Sequence, residues 1–116
     1  MEPEELLPDR LIGWLVVESG RRQAWPFLTF ADPNSAREVR LYIDTTFSVA
    51  PQWPQLDQEN EAAFLALASL DSLPLTGVNS SDGALTIEFG TQVLRIQGVS
   101  NHLTSHSPWW IGSQAT

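Results

Sequence analysis

The stretch Asp82-Gly83-Ala84-Leu85-Thr86-Ile87-Glu88-Phe89-Gly90-Thr91-Gln92-Val93-Leu94-Arg95-Ile96-Gln97 alternates apolar and polar residues on both sides of a Gly-Thr pair. Strict alternation over several residues is the pattern of a half-buried strand. Glycine at the first position of a two-residue loop suits a type II′ hairpin turn. With that turn Phe89 faces Gln92, Glu88 faces Val93, Ile87 faces Leu94, Thr86 faces Arg95 and Leu85 faces Ile96. Leu85, Ile87, Leu94 and Ile96 then share one face, while Thr86, Glu88 and Arg95 share the other. A slip of one residue would mix the two sets, so turn chemistry and hydrophobic pattern specify the same register.

Working outward, residues 1–10 are acidic and carry Pro3 and Pro8, and read as a loose tail ahead of a single domain over 11–116. Leu11 to Glu18 and Gln23 to Phe30 read as strands around a Ser19-Gly20-Arg21 turn. Pro26 marks the second strand as an edge or bulged strand, because proline donates nothing to a ladder. In Arg37–Asp44, Val39, Leu41 and Ile43 point one way and Glu38, Arg40, Tyr42 and Asp44 the other. Thr45-Thr46 reads as a bulge before Phe47 and Val49 resume the alternation. A helix is expected over about 57–72, capped by Asp57, with Leu56, Ala63, Phe64, Leu67 and Leu70 on one stripe. Leu65 falls nearly opposite that stripe. A short strand over Leu75–Asn79, the hairpin, a polar loop over Val99–Ser107 and a final strand at Pro108–Gly112 complete the chain. The sum is an α+β domain: one curved antiparallel sheet of about seven strands packed on a single helix.

The chain has 116 residues and is 42% hydrophobic, enough for a true core. Its formal net charge is −8, with all six basic residues arginine. Such a charge repels phosphate backbones and anionic membranes and favours basic partners. Cysteine is absent, so disulfides, thiolate nucleophiles and cysteine-based zinc sites are excluded. The acidic N-terminus has no apolar segment behind it, and no apolar run reaches membrane-spanning length. A cytoplasmic protein is therefore expected.

Few residues carry chemistry. His102 and His106 are weak metal candidates: their spacing would share a helix face, but the surrounding Ser, Thr, Asn and Pro predict a loop. No Gly-x-Ser-x-Gly elbow, phosphate-binding glycine loop or convincing carboxylate pair is present, so no catalytic residue and no cofactor is assigned. Tryptophan is the compositional anomaly, with five in a short chain. Trp14 is expected in the core. Trp109 and Trp110 are adjacent in an extended segment, so only one of them can point inward. Trp53 lies between two prolines. Trp53, Leu65, Trp109 and Trp110 are accordingly the candidate partner-binding residues.

The opening Leu11-Ile12-Gly13, the Asp82-Gly83 turn and the closing Pro108-Trp109-Trp110-Ile111-Gly112 resemble small bacterial proteins of immunity-protein type, which in some genomes are encoded beside toxin genes. The resemblance implies a non-enzymatic cytoplasmic protein that binds and neutralises a partner, and it carries no functional residues with it. The alternative is a sugar- or metabolite-binding module with a pocket lined by Trp14, Trp25 or Trp53. A metal-dependent enzyme using His102 and His106 stands third. A homodimer through Leu65 or the strand bearing Pro26 is compatible with each.

Overall fold

Residues 8–105 and 107–113 are described by a computed structural model of the chain. Nine strands among them run in the order β1 (Leu15–Arg22), β2 (Trp25–Ala31), β3 (Glu38–Ile43), β4 (Phe47–Ala50), β5 (Trp53–Leu56), β6 (Gly77–Ser81), β7 (Ala84–Phe89), β8 (Gln92–Ile96) and β9 (Trp109–Ser113). One α-helix, α1 (Ala62–Ala68), lies between β5 and β6. The class is α+β, but the expected single sheet of about seven strands is corrected to two antiparallel sheets. The first is ordered β1-β2-β3-β9 and the second β5-β4-β8-β7-β6.

The β7–β8 pairing has the register read from the sequence, from Phe89↔Gln92 to Leu85↔Ile96. Gly90 has a positive φ of 71°, as the first loop position requires. Leu85, Ile87, Leu94 and Ile96 are all buried. They meet Val16, Leu28, Phe30, Val39, Leu41 and Ile43 of the first sheet in one continuous core. Phe30 of β2 stacks on Phe89 of β7 across the two layers, with centroids 6.3 Å apart and planes 5° from parallel.

The chain passes between sheets at residues 44–46, where a simple bulge was expected. Val39, Leu41, Ile43, Thr45, Phe47 and Val49 are all buried, so the inward alternation runs unbroken through the corner. The opposite side is stitched by residues 72–75. Ser72 N donates to Val16 O, Val16 N to Leu73 O and Leu75 N to Trp14 O, before Thr76 N donates to Glu88 O in the second sheet.

The helix is shorter than the expected 57–72. Asp57 makes a separate turn instead of capping, its Oδ1 accepting from Glu59 N at 2.9 Å. Asn60 Oδ1 accepts from Ala62 N at 2.8 Å, where the helix begins. Ala63, Ala66, Leu67 and Leu70 form the buried stripe, whereas Phe64 is exposed at its edge. The Arg21 guanidinium covers that ring, 4.8 Å from its centroid.

The first hairpin also differs from expectation. Gly20 lies inside β1, and the turn falls at Gln23-Ala24, with Gln23 at φ 58°. Gly20 is needed because the Phe27 ring lies across it: a Cβ there would sit 3.0 Å from Phe27 Cζ. The strand bearing Pro26 is not an edge but lies between β1 and β3. Pro26 pairs with Arg21, one residue before the β2–β3 ladder begins at Phe27↔Tyr42. Its missing N–H thus falls outside that ladder, and β2 is not the sheet edge on which the expected dimer was placed.

The β6–β7 turn, Asp82-Gly83, has positive φ at both residues, 54° and 82°, the signature of a type I′ hairpin. Gly98 packs against it so closely that a Cβ would lie 2.5 Å from Ala84 N and Asp82 O. Gly98→Ala must therefore displace backbone. It is expected to cost about 2 kcal/mol in urea unfolding, as overpacking does.

Candidate functional site

Tryptophan, tyrosine and arginine converge on the outer face of the first sheet, away from the core. The β2–β3–β9 register places Phe27 beside Tyr42 and Tyr42 beside Trp110. The Trp110 ring stacks on Tyr42 at 5.1 Å and 19°, and meets Trp25 edge-on at 5.1 Å and 85°. Trp25 and Tyr42 lie 6.4 Å apart, and Phe27 and Tyr42 5.9 Å, both edge-to-face. Each such pair contributes about 0.5–1.5 kcal/mol beyond its buried area.

Arg40 extends this row toward β1. Its Cζ lies 3.9 Å from the Phe27 ring centroid. Its Nη2 pairs with Glu18 Oε1 at 3.3 Å, Nε donates to Thr29 Oγ1 at 3.3 Å and Nη1 to Tyr42 Oη at 3.4 Å. Thr29 Oγ1 donates onward to the same Glu18 oxygen at 3.1 Å. Glu18 is half in solvent, so this ion pair adds at most about 1 kcal/mol. Its main consequence is positional: it holds the guanidinium over the Phe27 ring. Phe27 and Thr29 are thereby buried on a face that no other strand or helix among the described residues covers. Trp25, Tyr42 and Trp110 are half-buried.

The four candidate partner-binding residues lie on different elements. Trp110 belongs to the aromatic face. Trp109 points the other way, packs against the core and donates its indole N–H to Gly83 O at 2.8 Å. One of the adjacent pair is inside and one outside, as an extended backbone requires. Trp53 is half-buried on β5 against the core, and its indole nitrogen is enclosed with no hydrogen-bond partner among the described residues. Leu65 is 63% exposed on α1. Sequence reasoning missed Trp25, Phe27 and Tyr42 as one cluster. The signal was present: Trp25, Phe27 and Thr29 recur with period two, opposite Leu28 and Phe30.

Trp14, Trp25 and Trp53 do not converge on a pocket between helix and sheet. Trp14 is in the core, Trp25 on the outer face and Trp53 on the far sheet. His102 is exposed in the β8–β9 loop, and His106 lies outside the described residues. No group of three metal-ligating side chains occurs among the described residues.

A second polar cluster is committed to holding that loop. Asp44 is 1% exposed. Its Oδ1 accepts from Gln58 Nε2 at 3.2 Å, its Oδ2 from Ser105 N at 2.9 Å and its main-chain oxygen from Thr104 Oγ1 at 2.6 Å. Gln58 and Asn101 exchange reciprocal amide bonds of 3.0 and 2.8 Å, and Asn101 Nδ2 also donates to Thr46 Oγ1. Among the described residues these groups bond main-chain atoms, the hydroxyls of Thr46, Thr104 and Ser105, and one another, so the network staples the loop to the sheet corner.

Among the described residues no helix is long and apolar enough to cross a membrane. Comparison with protein-family models, curated proteins and solved structures finds no match to the chain.

Proposed function

We propose that the chain is a non-enzymatic, cytoplasmic protein-interaction module of the partner-neutralising, immunity-like kind, and that it docks a positively charged protein on the Trp25–Tyr42–Trp110 face. The observation that carries this reading is the aromatic cluster itself. Ring surface of two tryptophans and a tyrosine is held rigid beside an arginine on an outer sheet face. Tryptophan, tyrosine and arginine are the residues that dominate binding energy at protein interfaces. Their fixed ring positions reduce the ordering cost of association. The net charge of −8 supplies the complement: it attracts a basic partner at long range, in a salt-dependent manner.

The test is capture from a lysate of the source organism by the tagged chain, at low and at high salt. One basic protein is expected to be retained at low salt and more weakly at high salt. Trp110→Ala should weaken the purified pair about thirtyfold, the loss of a hot spot near 2 kcal/mol. Circular dichroism should show the variant still folded. No retained protein at either salt, or equal retention by a folded Trp110→Ala, overturns the reading.

A further inference from the structure

The outer face of the other sheet carries a feature independent of the aromatic face. Asn79 and Ser81 of β6, Ala84 and Thr86 of β7, Arg95 of β8 and the following Gln97 line an open groove of about 260 Å³. The register accounts for its shape. Asn79, Thr86, Arg95 and Ser48 form one row across β6, β7, β8 and β4. In the next row Ser81 pairs with Ala84, so two small side chains leave a depression beside the guanidinium. The Gly98 contact with Asp82 and Gly83, and the Trp109 bond to Gly83 O, fix the turn that ends the groove.

Arg95 is the groove's only charged lining residue, and it makes no ion pair among the described residues. Its cross-strand neighbours are the hydroxyl residues Thr86 and Ser48. The nearest acid on the same face of β7, Glu88, has its carboxylate beside Gly77, with Oε1 2.8 Å from where a Cβ on Gly77 would sit. Arg95 thus shares the groove with hydroxyl and amide side chains, and no acidic residue lies among those that line it.

We propose that this groove binds a single carboxylate bearing an adjacent hydrogen-bonding group, an α-amido or α-hydroxy carboxylate. A guanidinium matches a carboxylate bidentately, with shorter and stronger bonds than neutral pairs make. Asn79, Ser81 and Gln97 offer donors and acceptors for the neighbouring amide or hydroxyl. One cation matches one negative charge. The groove has no second cation for a phosphate, and the field of a chain at −8 penalises a doubly charged ligand more than a singly charged one. Screening over roughly 8 Å at physiological salt leaves the local arginine contact in control for the single charge.

The experiment is a titration of the ¹⁵N-labelled full chain with N-acetylglycine, lactate and inorganic phosphate in turn. N-acetylglycine stands for a peptide chain end and lactate for a free hydroxy acid. At least one is expected to shift the amides of Thr86, Arg95 and Gln97 along a saturating curve, and the tighter of the two identifies the source. R95Q should weaken that binding at least tenfold while the rest of the spectrum is unchanged. R95K, which keeps the charge but not the fork, should fall between. The proposal is overturned by three results: no saturating shift with either carboxylate, an unchanged titration in R95Q, or phosphate binding more tightly than both.

Discussion

Phe30→Ala is expected to destabilise the protein by about 4 kcal/mol in urea unfolding. Phe30 is fully buried and reaches across the two layers to Phe89, with planes 5° from parallel. Truncation removes the ring's transfer energy and leaves a cavity bounded by both sheets, which neither can fill without disturbing its own ladder. Buried Phe→Ala changes of this kind cost about 3–5 kcal/mol. A double-mutant cycle with Phe89→Leu should return a coupling of about 1 kcal/mol, the size of an aromatic pair. A loss below about 1.5 kcal/mol would mean the layers repack freely and the cross-layer contact carries little.

Asp44→Ala is expected to cost about 3 kcal/mol, although it removes no apolar surface. The carboxylate accepts from Gln58 Nε2 and Ser105 N at a nearly solvent-free site. Deleting it leaves the Ser105 amide and one of the two N–H groups of Gln58 Nε2 without their acceptor, the other still donating to Asn101 Oδ1, and each lost acceptor is penalised by about 1–3 kcal/mol. Asp44→Asn retains one acceptor oxygen and replaces the other with a donor, so about half the loss is expected. Hydrogen exchange distinguishes this account from a general loosening. The Ser105 amide should lose protection in both variants, while Leu94 in the centre of the second sheet keeps its native rate in Asp44→Asn. Equal stability of Asp44→Ala and the parent would show that the loop is held by other means.

The hairpin was legible because two independent signals agreed there: the alternation through Leu85, Ile87, Leu94 and Ile96, and glycine at the loop position that needs positive φ. The strand around Val39, Leu41 and Ile43 was legible for the first of those reasons. The division into two sheets was not. Thr45, Phe47 and Val49 continue the inward period of Val39, Leu41 and Ile43, because both sheets face one core. A period of two reports which side is buried, not which sheet a residue belongs to.

Local turn chemistry misled in two places. Ser19-Gly20 has turn composition, yet Gly20 makes room for the Phe27 ring three-dimensionally adjacent to it, and the bend falls at Gln23. Asp57 carries a capping signal, but it closes its own short turn before Asn60 starts the helix. At the candidate site, the inside–outside division of Trp109 and Trp110 followed from extended geometry. The grouping of Trp110 with Tyr42 and Trp25 depended on a strand pairing, β3 with β9, that spans most of the chain. Nothing local encodes it.

Residues 72–75 lend main-chain groups to strand β1 while leading directly into the strands of the other layer. Those few peptides belong to both halves of the molecule at once. Neither half can peel away without surrendering its neighbour's hydrogen bonds, so a single all-or-none melting transition is expected. The ring-bearing surface on one half therefore keeps its shape for as long as the whole chain stays folded.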